Sequence, residues 1–261
     1  MAEDRFKGPM NTSARQWDPQ TYDAISDPQL KWGMEGLERL ELRGNETVVD
    51  AGCGTGRVTA ALAELLPRGR VIAVDSSKEM VEKARERLGD SVDYVVSDLL
   101  ELELPEPVDV IFSTATLHWI LDHDRLFRQL RGVLRPGGRV VAQCGGKGGA
   151  AAHTQAIISV AARHEFGQHL TGMRGLWNFS TPEETEPILE SAGFTEVRCW
   201  LEPKPFQPER PLEFISAVTL GPILEQLPEE KRQRFAEAVL EVSEQPLVID
   251  YIRLNIEAVA A

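Results

Sequence analysis

Short continuous apolar runs alternate along this chain with stretches in which apolar residues recur at helical spacing. Ala24 to Leu40 carries Leu30, Trp32, Met34, Leu37 and Leu40 and predicts an amphipathic helix. A polar break at Arg43-Gly44-Asn45-Glu46 leads into Thr47-Val48-Val49. That run ends in Asp50 and a glycine cluster, as a strand buried on both faces should. Thr59 to Leu66 predicts a helix and Val71 to Val74 a second buried strand. Ser76 with Glu79 is a capping-box signature, opening a helix through Met80, Val81, Ala84 and Leu88 that Gly89 is placed to stop. Val92 to Val96, Val108 to Ser113 and Arg139 to Cys144 predict three more strands. A helix with Leu126, Phe127, Leu130, Val133 and Leu134 precedes the last of them, and Pro136-Gly137-Gly138 makes the turn between. Strand–helix alternation at this spacing predicts an α/β fold, an open parallel sheet covered on both faces.

The regularity loosens after Cys144. Gly145, Gly146, Gly148 and Gly149 form a connection, and Ala150 to Leu170 is expected to be helical. Thr181-Pro182-Glu183-Glu184 is a strong helix start, with a capping threonine, proline at the first helical position and glutamate at the third. That helix is expected to end before Gly193, and Thr195 to Leu201 to resume as a strand. Helical stretches at 211–226 and 228–244 and a final apolar segment, Leu247 to Ile256, follow. Residues 145–180 and 205–245 exceed what a bare sheet needs and are candidate substrate lids.

Composition narrows the partners. The length of 261 residues fits one large domain with a modest lid. Lysine and arginine number 28 against 41 aspartates and glutamates, a net charge of −13. That field opposes nucleic-acid phosphates and anionic membrane surfaces. Cys53, Cys144 and Cys199 lie far apart and form neither a disulfide framework nor a zinc pattern, so no metal is expected. The opening MAEDRFKGPMNTSARQWD lacks the apolar core of a signal peptide, and no run approaches the roughly 20 apolar residues of a membrane span. These features predict a cytoplasmic protein with reduced thiols that acts on a small molecule; they leave its oligomeric state open.

The chemistry concentrates in Val48-Val49-Asp50-Ala51-Gly52-Cys53-Gly54-Thr55-Gly56-Arg57. Glycines suit a backbone that must turn sharply and approach a ligand. The spacing is G-x-G-x-G, with Arg57 where the dinucleotide fingerprint G-x-G-x-x-G has its last glycine. Asp50 would also repel a pyrophosphate, whereas an ammonium or sulfonium suits it. Asp75 ends the second strand, where an acidic side chain accepts from ribose hydroxyls, and Asp98 follows the third, within reach of an adenine amine. Three aspartates at successive strand ends predict a row along the carboxyl edge of the sheet, where ligands bind in open α/β folds.

Taken in order, VVDAGCGTG, AVDSS, SDLLEL, DVIFSTATLHWILD and LRPGGRVV resemble the successive motifs of class I S-adenosylmethionine-dependent methyltransferases. The resemblance covers about 47–145, and Trp17-Asp18 with Tyr22 extends it towards the N-terminus. Within that superfamily the chain is most similar to the trans-aconitate, malonyl-carrier-protein and juvenile-hormone-acid enzymes, which esterify carboxylates. The resemblance implies a Rossmann-like, doubly wound, mostly parallel seven-stranded sheet with a helical lid. In this arrangement, 1–40 would be a leader and helix closing over the cofactor and 41–261 the catalytic domain. It implies S-adenosyl-L-methionine as cofactor. Asp50 would face the methionine amino group, with Gly52, Gly54 and Gly56 lining its path. Asp75 would hold the ribose with Ser76 beside it, Asp98 and Leu99 would frame the adenine, Ser113 and Thr114 would approach the methionine, and Trp17 and Tyr22 would close over it.

Leu117-His118-Trp119 follows the fourth strand at the mouth of the expected pocket. His118 is the candidate to contact the acceptor or take its proton, and Trp119 to wall the transferred methyl. Several of the resembling carboxyl methyltransferases carry glutamine at that position. Arg163, Arg174, Trp177 and Phe179 are candidates for an anion-binding apolar pocket. His153, His164 and His169 read as surface residues and Cys53 as a small filler. The expected activity is methyl transfer to a small molecule, with O-methylation of a small carboxylic acid as the narrower expectation. A non-catalytic cofactor-binding module and a nicotinamide-dependent oxidoreductase are the alternatives.

Overall fold

The computed structural model describes residues 27–170 and 177–261. Seven strands form one sheet: β1 (Thr47–Ala51), β2 (Arg70–Asp75), β3 (Asp93–Val96), β4 (Val108–Thr114), β5 (Leu134–Gly145), β6 (Phe194–Phe206) and β7 (Ile249–Ala260). Their order is β3-β2-β1-β4-β5-β7-β6. The first five are parallel, and β7 runs antiparallel between β5 and β6. This is the mostly parallel seven-stranded sheet implied by the motifs.

The continuous apolar runs follow from burial on both faces. Val49, Ile72 and Ile111 point into one core, packed by Phe127 and Leu130 of α4 (His123–Val133) and by Leu189 of α7 (Pro182–Ser191). Their neighbours Val48, Val71 and Val110 point the other way, with Phe112, against Leu37 of α1 (Asp27–Glu38) and Leu62 of α2 (Arg57–Glu64). Ala84 of α3 (Lys78–Leu88) joins this second core. A third cluster is built by the additional segments. Here Ile157 and Val160 of α5 (Ala151–Ala161) and Phe166 of α6 (His164–Gly167) meet Phe214 of α8 (Pro211–Phe214). Ile223 of α9 (Gly221–Leu224) and Phe235 of α10 (Glu229–Val242) close it over Ile249. Among the described residues no helix is long and apolar enough to cross a membrane.

Several expected boundaries move for local reasons. The cap of α3 is Ser77 rather than Ser76. Asp75 accepts the Ser77 N–H at 2.9 Å, and the Ser77 hydroxyl accepts from Met80 N at 3.2 Å. Pro136-Gly137-Gly138 belongs to an irregularity inside β5, between the pairs Val108–Leu134 and Val110–Arg139. The helical stretch at 150–170 divides into α5 and α6, and 211–226 is interrupted by a π-helical turn over Ile215–Thr219. His153 is buried, not on the surface, because α5 packs into the third cluster.

The capping box at Thr181 is formed in full: its hydroxyl accepts from Glu184 N at 3.2 Å, and the Glu184 carboxylate accepts from Thr181 N at 2.9 Å. Thr181→Ala is expected to lower unfolding free energy by about 1 kcal/mol, read as an earlier urea midpoint at unchanged m-value.

Candidate active site

The loop after β1 is held from β2. Val74 O accepts from Gly52 N at 2.8 Å and Cys53 N at 2.9 Å, and Asp75 Oδ2 accepts from Gly54 N at 3.0 Å. Gly52 has φ 86°, and a Cβ there would lie 2.1 Å from Thr116 Oγ1, so glycine alone permits the loop to meet the segment after β4. Gly56, at φ 79°, heads α2 in the left-handed region with its α-carbon against Ala84 and Leu88.

A cleft of about 1340 Å³ opens along the carboxyl edge of the parallel strands. Gly52, Gly54, Asp75, Ser76, Asp98, Leu99, Thr114, His118, Trp119 and Trp177 all line it. Asp50, Gly56 and Ser113 are behind this surface. Ser113 and Thr114 alternate along β4 and so face opposite ways; Ser113 is buried with its hydroxyl donating to Ala51 O at 2.7 Å. Trp17, Tyr22 and Arg174 lie outside the described residues. Asp98 Oδ1 accepts from Leu100 N at 2.9 Å, which fixes the turn after β3.

Asp50 is 1% exposed. Its Oδ2 accepts from Thr59 Oγ1 at 2.7 Å, while Oδ1 has no hydrogen-bond partner among the described residues. Burial pushes its carboxyl up to about 6, the Thr59 bond opposes the shift, and the nearby charge of Asp75 adds to it. Burial also raises Asp75, against the backbone donors of Ser77 and Gly54. Thr114 Oγ1 and Gln29 Oε1 are likewise buried without partners among the described residues, and both residues line the cleft. Thr114 packs against α1 near Gly33, one turn from Gln29. Three unpartnered acceptors around the β1 and β4 ends suit a ligand bearing an ammonium, so the donor chemistry fits the methionine part of the expected cofactor. Gln29 was not visible in the sequence: a lone glutamine at a helix start carries no signal.

The far half of the cleft is aromatic. Leu117–Trp119 forms a 3₁₀ turn held by His123 Nε2 on Leu117 O at 3.1 Å. The His118 ring lies between Trp119 and Phe179, with centroids 5.0 and 5.7 Å away, and Trp177 stacks on Phe179 at 5.7 Å. His118 Nδ1 accepts from Gly145 N at 3.2 Å. A nitrogen that accepts is unprotonated, so neutral His118 carries its proton on Nε2 and acts there as a donor. Gly145 has to be glycine, since a Cβ would sit 2.4 Å from the Phe179 ring. His153 and Thr219 line the cap side of the cleft. The Thr219 hydroxyl donates to Ile215 O at 3.0 Å, so it accepts from His153 Nε2 at 2.8 Å, and burial lowers His153 to about 4. Arg253 of β7 also lines the cleft and is 3% exposed. The sequence offered no sign of it, because the final apolar segment does not reveal which strand it will join. Cys53 is buried and its thiol is raised well above the ordinary range, which fits a filler rather than a nucleophile.

Comparison with known proteins agrees with this geometry. The family described as "Methyltransferase domain" matches residues 49–142. A trans-aconitate 2-methyltransferase of Azoarcus is 41% identical over 127 residues, 49% of this chain and 50% of that protein, so the chain matches half of that relative's length. The trans-aconitate 2-methyltransferase of Rhodococcus jostii is 34% identical over 217 residues, covering 81% of this chain and 83% of the relative. Among solved structures, Haemonchus contortus phosphoethanolamine N-methyltransferase 2 in complex with S-adenosyl-L-methionine aligns with TM-score 0.62 at 20% identity, over 93% of this chain and 56% of that one. That likeness carries the fold alone. On the match to the Rhodococcus protein, with motifs in order along the same sheet edge, the chain belongs to the S-adenosylmethionine-dependent methyltransferase family.

Proposed function

We propose that this protein transfers the methyl of S-adenosylmethionine to a carboxylate oxygen of a small carboxylic acid. The observation that carries the reading is the Gly145 N–H bonded to His118 Nδ1. It gives His118 a donor rather than a base on Nε2, which suits an acceptor oxygen that arrives already ionised. A carboxylate does so at neutral pH, whereas a phenol or amine has a proton to lose. Relatives named for trans-aconitate, a carboxylic acid, support the same class.

Asp75 and Ser76 hold the ribose, Asp98 and Leu99 frame the adenine, and Gly52 and Gly54 let the backbone approach the methionine part. Thr114 and Gln29 accept from its ammonium and the Asp50 carboxyl adds its charge from behind them, while Gly56 and Ser113 secure the loop from outside the cleft. Bound there, S-adenosylmethionine supplies an activated methyl: the C–S bond breaks to sulfur as the carboxylate oxygen forms the O–C bond, and no proton moves. Trp119, Trp177 and the lid segments 145–180 and 205–245 exclude water and align the acceptor, which supplies most of the rate in such a displacement. An acidic, cysteine-poor chain fits a cytoplasmic enzyme without nucleic-acid substrates. Incubation with labelled methyl donor and a panel of small acids, phenols and amines tests the reading. Methyl esters are expected; label on phenols or amines with none on any acid overturns it.

Substitutions at three residues follow. Asp75→Ala is expected to weaken S-adenosylhomocysteine binding by roughly 1.5–3 kcal/mol by calorimetry, through loss of charge-assisted bonds to the ribose. For Asp50, a folded value of about 6 lies above the unfolded one, so its cost is absent below the unfolded value and grows as pH rises through about 6. Asp50→Asn is therefore expected to stabilise the cofactor-free protein at pH 8 by up to about 3 kcal/mol. It should leave stability unchanged at pH 3 and weaken cofactor binding, all read by urea unfolding and calorimetry. His118→Gln keeps an acceptor for Gly145 and a donor for the acceptor pocket, so turnover is expected to stay within about tenfold of wild type. His118→Ala loses about 100-fold in kcat/KM with cofactor affinity intact.

A further inference from the structure

His118 and His153 both line the cleft, and their hydrogen bonds give the two rings opposite polarity. His118 accepts on Nδ1 and carries its proton on Nε2. His153 is wired the other way. In the π-helical turn Ile215–Thr219, Ile215 O accepts from Leu220 N at 2.8 Å and from the Thr219 hydroxyl at 3.0 Å. A hydroxyl has one proton, so Thr219 Oγ1 offers only a lone pair to His153 Nε2 at 2.8 Å. Nε2 therefore holds the ring proton, and Nδ1 is left as an acceptor. The residue is 4% exposed, and Nδ1 is buried with no hydrogen-bond partner among the described residues.

An unpaired acceptor inside a fold is destabilising, and a leucine at 153 would fill the third cluster alongside Ile157 and Val160 without that cost. The tautomer is fixed instead from a π-helical turn, a rare element that recurs at functional sites. The ring belongs to the acceptor half. α5 follows the glycine connection from Gly145, whose N–H holds His118. Trp177 packs against the third cluster, which α5 helps to build, and its ring meets Trp119 and Phe179, the two rings that flank His118. A ligand that brings a donor to Nδ1 removes the cost on binding. A hydroxyl suits this place better than an ammonium, because burial disfavours a charge beside a neutral ring. We propose that His153 Nδ1 accepts a hydrogen bond from a hydroxyl of the acceptor, so that the site selects a hydroxylated carboxylic acid. This rests on the carboxylate reading of the site. The carboxylate oxygen forms its bond to the methyl carbon as the C–S bond breaks to sulfur, and the hydroxyl keeps its proton. With its pKa lowered to about 4, His153 is too weak a base to remove that proton at neutral pH, so the hydroxyl is held and not methylated. An analogue without the hydroxyl seals the Nδ1 lone pair in unpaired, which a site rejects far more strongly than a missing methylene.

The test assays wild type, His153→Phe and His153→Gln on pairs of acids that differ by one hydroxyl: propionate and lactate, benzoate and meta-hydroxybenzoate, cinnamate and para-coumarate. trans-Aconitate, which has no hydroxyl, is the reference acid. On wild type, a hydroxylated acid is expected to be esterified with kcat/KM more than about tenfold above its parent and above trans-aconitate, the difference lying in KM. In His153→Phe that preference falls to within about threefold of parity, because no acceptor remains, and His153→Gln, which keeps one, recovers part of it. A purely structural histidine would slow both members of a pair alike. S-adenosylhomocysteine affinity within about twofold of wild type reports that the variants are folded. Equal use of every pair by wild type, trans-aconitate preferred to all of them, or a preference that persists in His153→Phe overturns the role of His153 and leaves ester formation standing. Label on the hydroxyl oxygen in place of the carboxylate, or on none of these acids, overturns the carboxylate reading itself.

Discussion

The Gly145 N–H bonded to His118 Nδ1 ties the two halves of the cleft together. It exists because β5 runs past the end of β4 into a residue with no side chain, which leaves room for the Phe179 ring and exposes a backbone donor at the right height. The turn that carries His118 is fixed independently by His123 on the Leu117 carbonyl and by Asn178 N on the His118 carbonyl at 2.8 Å. The tilted Trp119 and Phe179 rings pack against the imidazole. From the Gly145 bond follow the tautomer and the donor that His118 presents at the mouth.

The cofactor half obeys a complementary electrostatic logic. Asp50 is buried and Asp75 partly so, and the charge of Asp75 adds to the cost of ionising Asp50. Backbone donors from Gly54 and Ser77 compensate Asp75, whereas Asp50 has only Thr59 and one bare oxygen. A site with more acceptors than donors is poised for a cation and hostile to a pyrophosphate, the distinction already implied by Arg57 replacing the third glycine of the dinucleotide fingerprint. The charge of the whole chain argues the same way about partners but says nothing about the local field inside the cleft.

How much of this was legible follows from which contacts are local. Val48/Val49, Val71/Ile72 and Val110/Ile111 face opposite cores, so the central strands read as continuous apolar runs bounded by aspartate and glycine. Asp50, Asp75 and Asp98 could be placed from spacing because parallel strands deliver successive carboxyl ends to one edge. The parity of β4 separates Ser113 from Thr114, but sequence alone did not say which face would open to the cleft. Gln29 and Arg253 were out of reach: one depends on how α1 crosses β4, the other on β7 inserting antiparallel between β5 and β6. His153 looked like surface because the third cluster that buries it draws on segments nearly a hundred residues downstream in the chain.

The central claim is that the acceptor reacts as a preformed anion with no protein base. The pH dependence of kcat, with cofactor and carboxylic acid saturating, measures this most directly. From about pH 5.5 to pH 9 the profile should be flat, because the acid is ionised throughout and no group on the protein must lose a proton. A rising limb centred near the histidine range that disappears in His118→Gln would contradict the account.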